Sequence, residues 1–558
     1  MKRGYMKNAW YRKAIVNKHI IILLLLAGCL VLKSFFGFGW DDEGYYLAMV
    51  HRFWVGDLPI YHEWHPTQWY AVLLLPVYGV YRTISGGEGI VLFFRLFYLA
   101  IRLMISLIAF AVIKIYTKKD GTAFFSAVIL LIFCKENMAL YSYSDLAVSG
   151  FALSVVLLLY GEWTAHRKKW IYFAAGLGFV AAVFSNPYML VIYVYFVLLA
   201  VVLWKRKKET SYLSCLVVFT AACCLVGFSF LGYLAVRVPP VDLREALYYI
   251  THNPQHELHN PFISVMKWCW YAVKPYHIVV LPLLGSFLLA GKGKHIKEVF
   301  YGEMLCAVLY VVIQYFFMED KNVIGIAYIP LSVFGLFCFY ITRKRDWISM
   351  LLLYIPGILM SVAFHCASMT GIFTMTTGFS ISAMASVIFI DHLLCEQKEL
   401  CSWKTVNVFL GLLLLYTGII RVVYCRFNTY EAAYNTRLEN GPYKGILTDA
   451  AQKEFYEEAL SELALLEEET SKEENILIMG NNMWMYLCVD RQVGSPVIWR
   501  AEADYPLFES YFVMHPDKLP AVIYANELCE MQYGDRILLN GVAYEVKYSG
   551  DGKVYDRR

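Results

Sequence analysis

Residues 20–54 read IIILLLLAGCLVLKSFFGFGWDDEGYYLAMVHRFW, an apolar run followed by three consecutive carboxylates, Asp41, Asp42 and Glu43. An α-helix needs roughly 20 mostly apolar residues to cross a hydrocarbon core about 30 Å thick, and residues 20–38 supply the first such run. Lys2, Arg3, Lys7, Arg12, Lys13 and Lys18 precede it and no small-residue cleavage site follows, so it reads as an uncleaved signal-anchor with a cytoplasmic N-terminus. The rest of the 558-residue chain repeats the pattern. With 59% hydrophobic and 17% charged residues and a mean hydropathy of +0.50, it is too apolar for a single soluble core.

Further apolar segments lie near residues 90–113, 122–134, 146–161, 170–184, 188–204, 211–236, 277–290, 299–317, 323–342, 347–364, 372–394 and 405–423, which predicts a polytopic α-helical membrane protein of about thirteen transmembrane helices. Alternate numbering puts every basic cluster on one side: Lys114/Lys118/Lys119, Arg167–Lys169, Lys205–Lys208, Lys292/Lys294/Lys297, Arg343–Arg345 and Lys398/Lys404. By the positive-inside rule that side is cytoplasmic, and an odd count puts the C-terminal part outside. The basic residues form short clusters rather than one stripe, which argues against nucleic acid. A plasma membrane is the expected location.

Residues 426–558 carry 13 Lys+Arg against 23 Asp+Glu, a net −10, while the remainder carries +14. The sequence therefore divides into a membrane part, 1–424, with external loops at 39–89 and 237–276, and an acidic extracytoplasmic α/β domain, 425–558. In the latter, Phe455, Ala459, Leu460, Leu463 and Leu466 form a helix stripe. Residues 476–480 and 521–524 read as strands, and 536–546 as a hairpin around Asn540-Gly541. Cys425, Cys488 and Cys529 leave room for one disulfide there. In the first loop, Tyr46, Leu47, Val50, Phe53 and Trp54 recur on one face of a short helix expected to lie on the bilayer surface. Asp41, Asp42 and Glu43 sit at its N-terminus, where the helix dipole favours ionised acids.

Beyond this helix come Gly56-Asp57-Leu58-Pro59-Ile60-Tyr61, then His62 and His65-Pro66, an apolar run ending in Gly87, and Arg95 inside the next span. This order, with Asp42-Glu43 and Tyr46 at its head, resembles the GT-C glycosyltransferases, in particular the branch of protein O-mannosyltransferases and aminoarabinose transferases. The resemblance covers residues 20–205 by motif. Asp145, in YSYSDLAVSG, matches a second acidic position, whereas Thr67 stands where the family often has a second proline. What it implies is inverting transfer of a sugar from a polyprenyl-phosphate-linked donor to an acceptor hydroxyl on the extracytoplasmic face. The acceptor, whether glycan, lipid or protein, has no readable determinant.

Such a transfer needs a base for the acceptor proton and cations for the departing phosphate. Asp42 is the expected base, with Asp41 as its alternative because the doublet leaves the register open. Glu43 would orient it or bind a hydroxyl, and Asp145 would assist across the cavity. Arg95 and Arg102, two turns apart on one helix face, would either contact the phosphate or pair with neighbouring acids. Asp41, Tyr46, His62, His65, Arg244, His256 and Lys267 complete the expected substrate contacts. His252, His256 and His259 could ligate a divalent metal or simply face solvent, and GT-C members differ in needing one. A transporter or lipid-linked-sugar flippase is the competing reading, though its hallmark of matching interrupted spans in two halves is not seen.

Overall fold

The computed structural model describes residues 18–163, 168–253, 260–273, 285, 295–317, 323–368, 370–425, 434–501, 505–526, 535–549 and 552–557. Among these, eight helices are long and apolar enough to cross a membrane: Ile90–Thr117, Tyr143–Glu162, Pro187–Lys207, Ser211–Arg237, Ile296–Phe316, Trp347–Ser368, Ile372–Glu396 and Trp403–Val423. Four other expected spans form shorter helices, Lys18–Lys33, Asp120–Ile132, Lys169–Ser185 and Tyr328–Ile341. The segment 277–290 lies almost wholly outside the described residues. Asp120–Ile132 and Tyr328–Ile341 are buried along nearly their whole length, so protein rather than lipid covers them and their length need not match the bilayer.

Close approach at small residues holds the bundle together, the usual device where lipid is as apolar as the helices. A Cβ on Gly150 would lie 2.5 Å from the Gly178 carbonyl oxygen, joining Tyr143–Trp163 to Lys169–Ser185. Gly357 and Gly378 bring Ile355–Ser368 against Ile372–Glu396 in the same way.

The segment between Lys18–Lys33 and Ile90–Thr117 contains two helices. Asp42–Trp54 starts at the carboxylates, as expected, but its environment differs from an interfacial helix: every residue from Glu43 to Phe53 is buried. The reason is the turn Met483–Cys488 of the C-terminal part, which packs onto it at Gly44. The apolar run Trp69–Ser85 is the second helix, ended by Gly86 in the left-handed conformation at φ 64°. Gly79 lets it approach Trp54, whose ring would be 2.6 Å from a Cβ there.

The C-terminal part forms a six-stranded mixed sheet in the order Gln492–Val493, Asn475–Met479, Val522–Asn526, Gly552–Arg557, Val542–Ser549, Arg536–Leu539. Asn475–Met479 runs parallel to both neighbours, and the remaining pairings are antiparallel. Asn540 and Gly541 make the expected hairpin turn with φ of 49° and 79°. Helix Ala450–Glu469 begins where the Asp449 side chain accepts from Gln452 N. Neither Cys425 nor Cys488 is in a disulfide, and Cys529 lies outside the described residues. The C-terminal part is tied to the membrane part by backbone: Gly37 N donates to Leu447 O at 2.9 Å, Leu447 N to Phe35 O at 2.7 Å, and Trp64 N to Pro496 O at 2.7 Å.

Gly44→Val tests this docking. A Cβ at Gly44 would meet Trp484 Cβ at 2.6 Å and its backbone N at 2.8 Å, and backbone cannot yield cheaply. The variant is expected to lose about 1–3 kcal/mol and to expose residues 434–557 to protease at lower temperature, measured by thermal unfolding and limited proteolysis in detergent.

Candidate active site

The first turn of Asp42–Trp54 divides its two acids between different tasks. Glu43 is 2% exposed and is held bidentate by Arg95, with Nε at 2.6 Å from Oε1 and Nη2 at 2.5 Å from Oε2. The other Arg95 donors reach the carbonyls of Ser34, Phe36 and Gly37 at 2.7–3.1 Å. Arg95 thus pairs with a neighbouring acid, the second of its two expected roles, and Glu43 braces the chain where it leaves the first helix. Asp42 is half-buried. It lies within electrostatic reach of Lys135, Tyr46 and Tyr70. Asp41 occupies the N-cap position without a side-chain capping bond.

Facing Asp42 is the turn between Asp120–Ile132 and Tyr143–Trp163. Lys135 Nζ lies 3.0 Å from Glu136 Oε1 and 3.2 Å from the Tyr143 hydroxyl, 5.0 Å above the Tyr143 ring. Burial works against its charge, but Glu136, Tyr143 and Asp42 together raise its pKa above the usual lysine value. Asp145 anchors this turn. Completely buried, it pairs with Arg102 Nη2 at 3.1 Å and accepts from Ser142 Oγ at 2.9 Å and from Lys135 N at 3.3 Å. Instead of reaching across a cavity, Asp145 shapes the backbone that presents Lys135, and Arg102, like Arg95, is paired with an acid. Glu136 and Asn137 take positive φ of 53° and 57°, a costly conformation for residues with a Cβ and a mark of a constrained site.

Aromatic side chains wall the space around Asp42. Tyr46 is buried, with its ring 5.7 Å from that of Tyr70 and 6.0 Å from that of Tyr143. Tyr45 OH and His65 Nδ1 are 3.0 Å apart, and His65 Nδ1 also meets Thr67 Oγ1 at 3.0 Å. Burial raises the hydroxyl pKa of Tyr45, Tyr46 and Tyr70, which keeps them neutral hydrogen-bonding groups.

His62 lies in a buried charge network instead. Arg52 donates to Asp57 at 2.7 Å and Glu63 at 2.6 Å, and Asp57 also pairs with Lys518 of the C-terminal part. Three separate segments converge at Trp64, which is stacked at 4.5 Å on Tyr249 of Pro240–Thr251 and edge-on at 5.1 Å to Tyr511. Arg244 and Lys267 are exposed on Pro240–Thr251 and Pro261–Val273. His252 is exposed, 4.3 Å from the Tyr248 ring, while His256 and His259 fall outside the described residues. Among the described residues no three His, Cys, Asp or Glu side chains come together as a metal set.

Sequence reasoning had not singled out Lys135, Tyr143 or Arg52. A signal existed for Lys135: it stands alone between apolar runs on the side that otherwise lacks basic clusters. Arg52 carried none, because its partners come from residues 57, 63, 495 and 511.

No protein-family model and no curated protein matches the chain. Oligosaccharyltransferase AglB from Archaeoglobus fulgidus, in complex with an inhibitory peptide and a dolichol-phosphate, is 13% identical over 94% of this chain and 70% of its own, with a TM-score of 0.43. ArnT from Cupriavidus metallidurans bound to undecaprenyl phosphate is 9% identical over 96% of this chain and 97% of its own, at 0.43. The apo state of the same ArnT is 10% identical over the same shares, at 0.42. At these TM-scores the likeness is loose, and no residue role passes from these proteins to this chain.

Two outcomes check the geometry. Arg95→Met leaves Glu43 buried without its cation and is expected to cost about 3–5 kcal/mol, part of which the double variant with Glu43→Gln recovers. The pH dependence follows from the docking surface, where burial lowers His51 and His515 to about 4 and His62 to about 3 from 6.5. Unfolded imidazoles bind protons near pH 6.5 and these folded ones do not, so their contribution to stability is lost as pH falls from 6.5 toward 4. Glu63, pushed up to about 7 from 4.5 by burial, has the opposite sign and its contribution falls as pH rises. Between pH 4.5 and 6.5 three imidazoles outweigh one carboxyl. The melting temperature should climb across that window; a flat or falling profile would contradict the buried-histidine arrangement.

Proposed function

We propose that this protein transfers a sugar from a polyprenyl-phosphate-linked donor to an acceptor hydroxyl, with inversion, at the outer end of its helix bundle. The observation that carries the reading is the geometry of the first turn of Asp42–Trp54: Glu43 is held by Arg95, and Asp42 beside it is half-buried within electrostatic reach of Lys135. In this reading the acceptor oxygen attacks the anomeric carbon as its proton passes to the Asp42 carboxylate. The bond from the anomeric carbon to the bridging oxygen breaks, and its electron pair leaves with the lipid phosphate. Lys135, backed by Tyr143, lies beside the developing negative charge. Tyr46, Tyr70 and His65 shape the sugar pocket and exclude water. The N-terminus is then cytoplasmic, the C-terminal part extracytoplasmic, and its packing over Asp42–Trp54 keeps the base rigid. The polyprenyl donor follows from the sequence resemblance and from a base set where the chain leaves its first apolar helix, the depth at which a carrier lipid presents its sugar.

Full-length protein in nanodiscs, given a panel of polyprenyl-phosphate sugars and hydroxyl acceptors, is expected to release polyprenyl phosphate. Asp42→Asn should lower kcat by about 10²–10⁴, while Asp41→Asn keeps kcat within about tenfold. Equal rates for wild type and Asp42→Asn would remove the base assignment. Movement of intact lipid-linked sugar between leaflets without bond cleavage would replace transfer by flipping.

A further inference from the structure

At the end of the bundle opposite Asp42 lies a cavity of about 220 Å³. The helix Tyr143–Trp163 gives the direction: it starts with Tyr143, beside Lys135, and its last turns bring Leu158 and Glu162 to the cavity. The other walls are the start of Lys169–Ser185, the end of Leu190–Lys207, the start of Ser211–Arg237 and the segment from Trp347 to Leu352. Leu199, Leu203, Leu216, Phe219, Leu351 and Leu352 make the lining largely apolar. An apolar cavity of roughly 150 Å³ already excludes water and takes an apolar ligand, so this larger one suits a hydrocarbon chain. Lipid lies alongside it: the walls Pro187–Lys207 and Ser211–Arg237 are only 17% and 22% buried, the lowest shares among the eight spans.

One wall is irregular. Met350–Tyr354 forms a π-helical turn, a distortion frequent where a helix serves a functional site, and it brings Leu351 and Leu352 to the cavity. Tyr195 OH donates to Leu351 O at 2.8 Å and holds that turn in place. The polar lining groups gather instead at the helix ends, where Lys207 Nζ donates to Tyr212 OH at 2.7 Å and Tyr172 OH to Glu162 Oε1 at 3.1 Å. Residues 168–169, 205–208 and 343–345, all Lys or Arg and all exposed, stand at the ends of these same walls. Among the described residues they share those ends with the acids Glu162, Glu209, Asp346 and Glu396, so the rim is basic while the walls behind it are hydrocarbon.

We propose that this cavity holds an acyl chain of an anionic phospholipid, with the lipid phosphate at Lys207 and the basic helix ends around it. An apolar slot closed at its mouth by lysine and arginine matches the two halves of such a lipid, and basic pockets between membrane helices favour anionic headgroups over zwitterionic ones. Position separates the occupant from a carrier lipid that serves Asp42, because the length of Tyr143–Trp163 stands between the two sites. The bound lipid would tie together the ends of five helices. The site does not rest on the transfer reading above.

Native mass spectrometry of the full-length protein, delipidated in detergent and titrated with phosphatidylglycerol or phosphatidylcholine of identical chains, tests this. Wild type should retain one phosphatidylglycerol about tenfold more tightly than phosphatidylcholine. Ala200 lines the cavity, and Ala200→Trp, which fills it, should weaken phosphatidylglycerol binding about tenfold. Lys207→Glu should narrow the headgroup preference by about threefold or more. Equal binding of the two lipids by wild type, or unweakened binding by a folded Ala200→Trp protein, would overturn the proposal; should Ala200→Trp fail to fold, unweakened binding by Ala200→Leu would do so. An unchanged preference in Lys207→Glu would overturn the placing of the phosphate. Undecaprenyl phosphate that displaces phosphatidylglycerol at equal concentration would hand the cavity to a carrier lipid and overturn the phospholipid assignment.

Discussion

The organisation of this protein depends on one buried ion pair, Arg95 with Glu43. Arg95 enters from Ile90–Thr117, a membrane helix whose interior would reject an isolated guanidinium. Its five donors are satisfied by a carboxylate and three carbonyls from the segment that leaves the first helix. The pair therefore does more than neutralise charge. It fixes the direction in which residues 34–43 emerge and so aims Asp42. Such a pair is weak evidence for net stability, but it specifies geometry well, because a bidentate fork accepts few orientations.

A second buried pair repeats the logic on the opposite wall. Arg102 and Asp145 hold the turn that carries Lys135, so two intramembrane arginines seven residues apart on one helix set the two sides of the site. Both act through positioning. In the proposed transfer reading, Asp42, Lys135 and the tyrosines and histidine around them are the groups that meet a substrate. The C-terminal part packs over the same helix through Trp484 at Gly44, Pro496 and Tyr511 at Trp64, and Lys518 in the Arg52–Asp57 network, and so buries a helix that would otherwise lie on the membrane.

Much of this was legible in the chain alone. Long apolar runs predict membrane helices because a helix satisfies its own backbone in lipid, and the eight described helices long and apolar enough to cross a membrane fall where the runs do. The carboxylates at the start of Asp42–Trp54, the helix at 450–469, the strands and the Asn540-Gly541 hairpin follow from local pattern and turn chemistry. The resemblance carried by Asp42-Glu43, Tyr46, His65-Pro66 and Arg95 concerns residues close in sequence, where order is informative.

Tertiary structure decided the rest. Whether Arg95 faces a phosphate or Glu43 depends on how two helices 52 residues apart are rotated, and hydropathy is blind to rotation. The burial of residues Glu43 to Phe53 and the pairing of Asp145 with Arg102 each depend on contacts between distant segments, because a charged side chain takes its role from the groups that replace its lost water. Local sequence determined which residues enter the membrane and where the acids stand; only the packing of distant elements determined which acids are spent on buried ion pairs, because a pair forms where two separate segments meet.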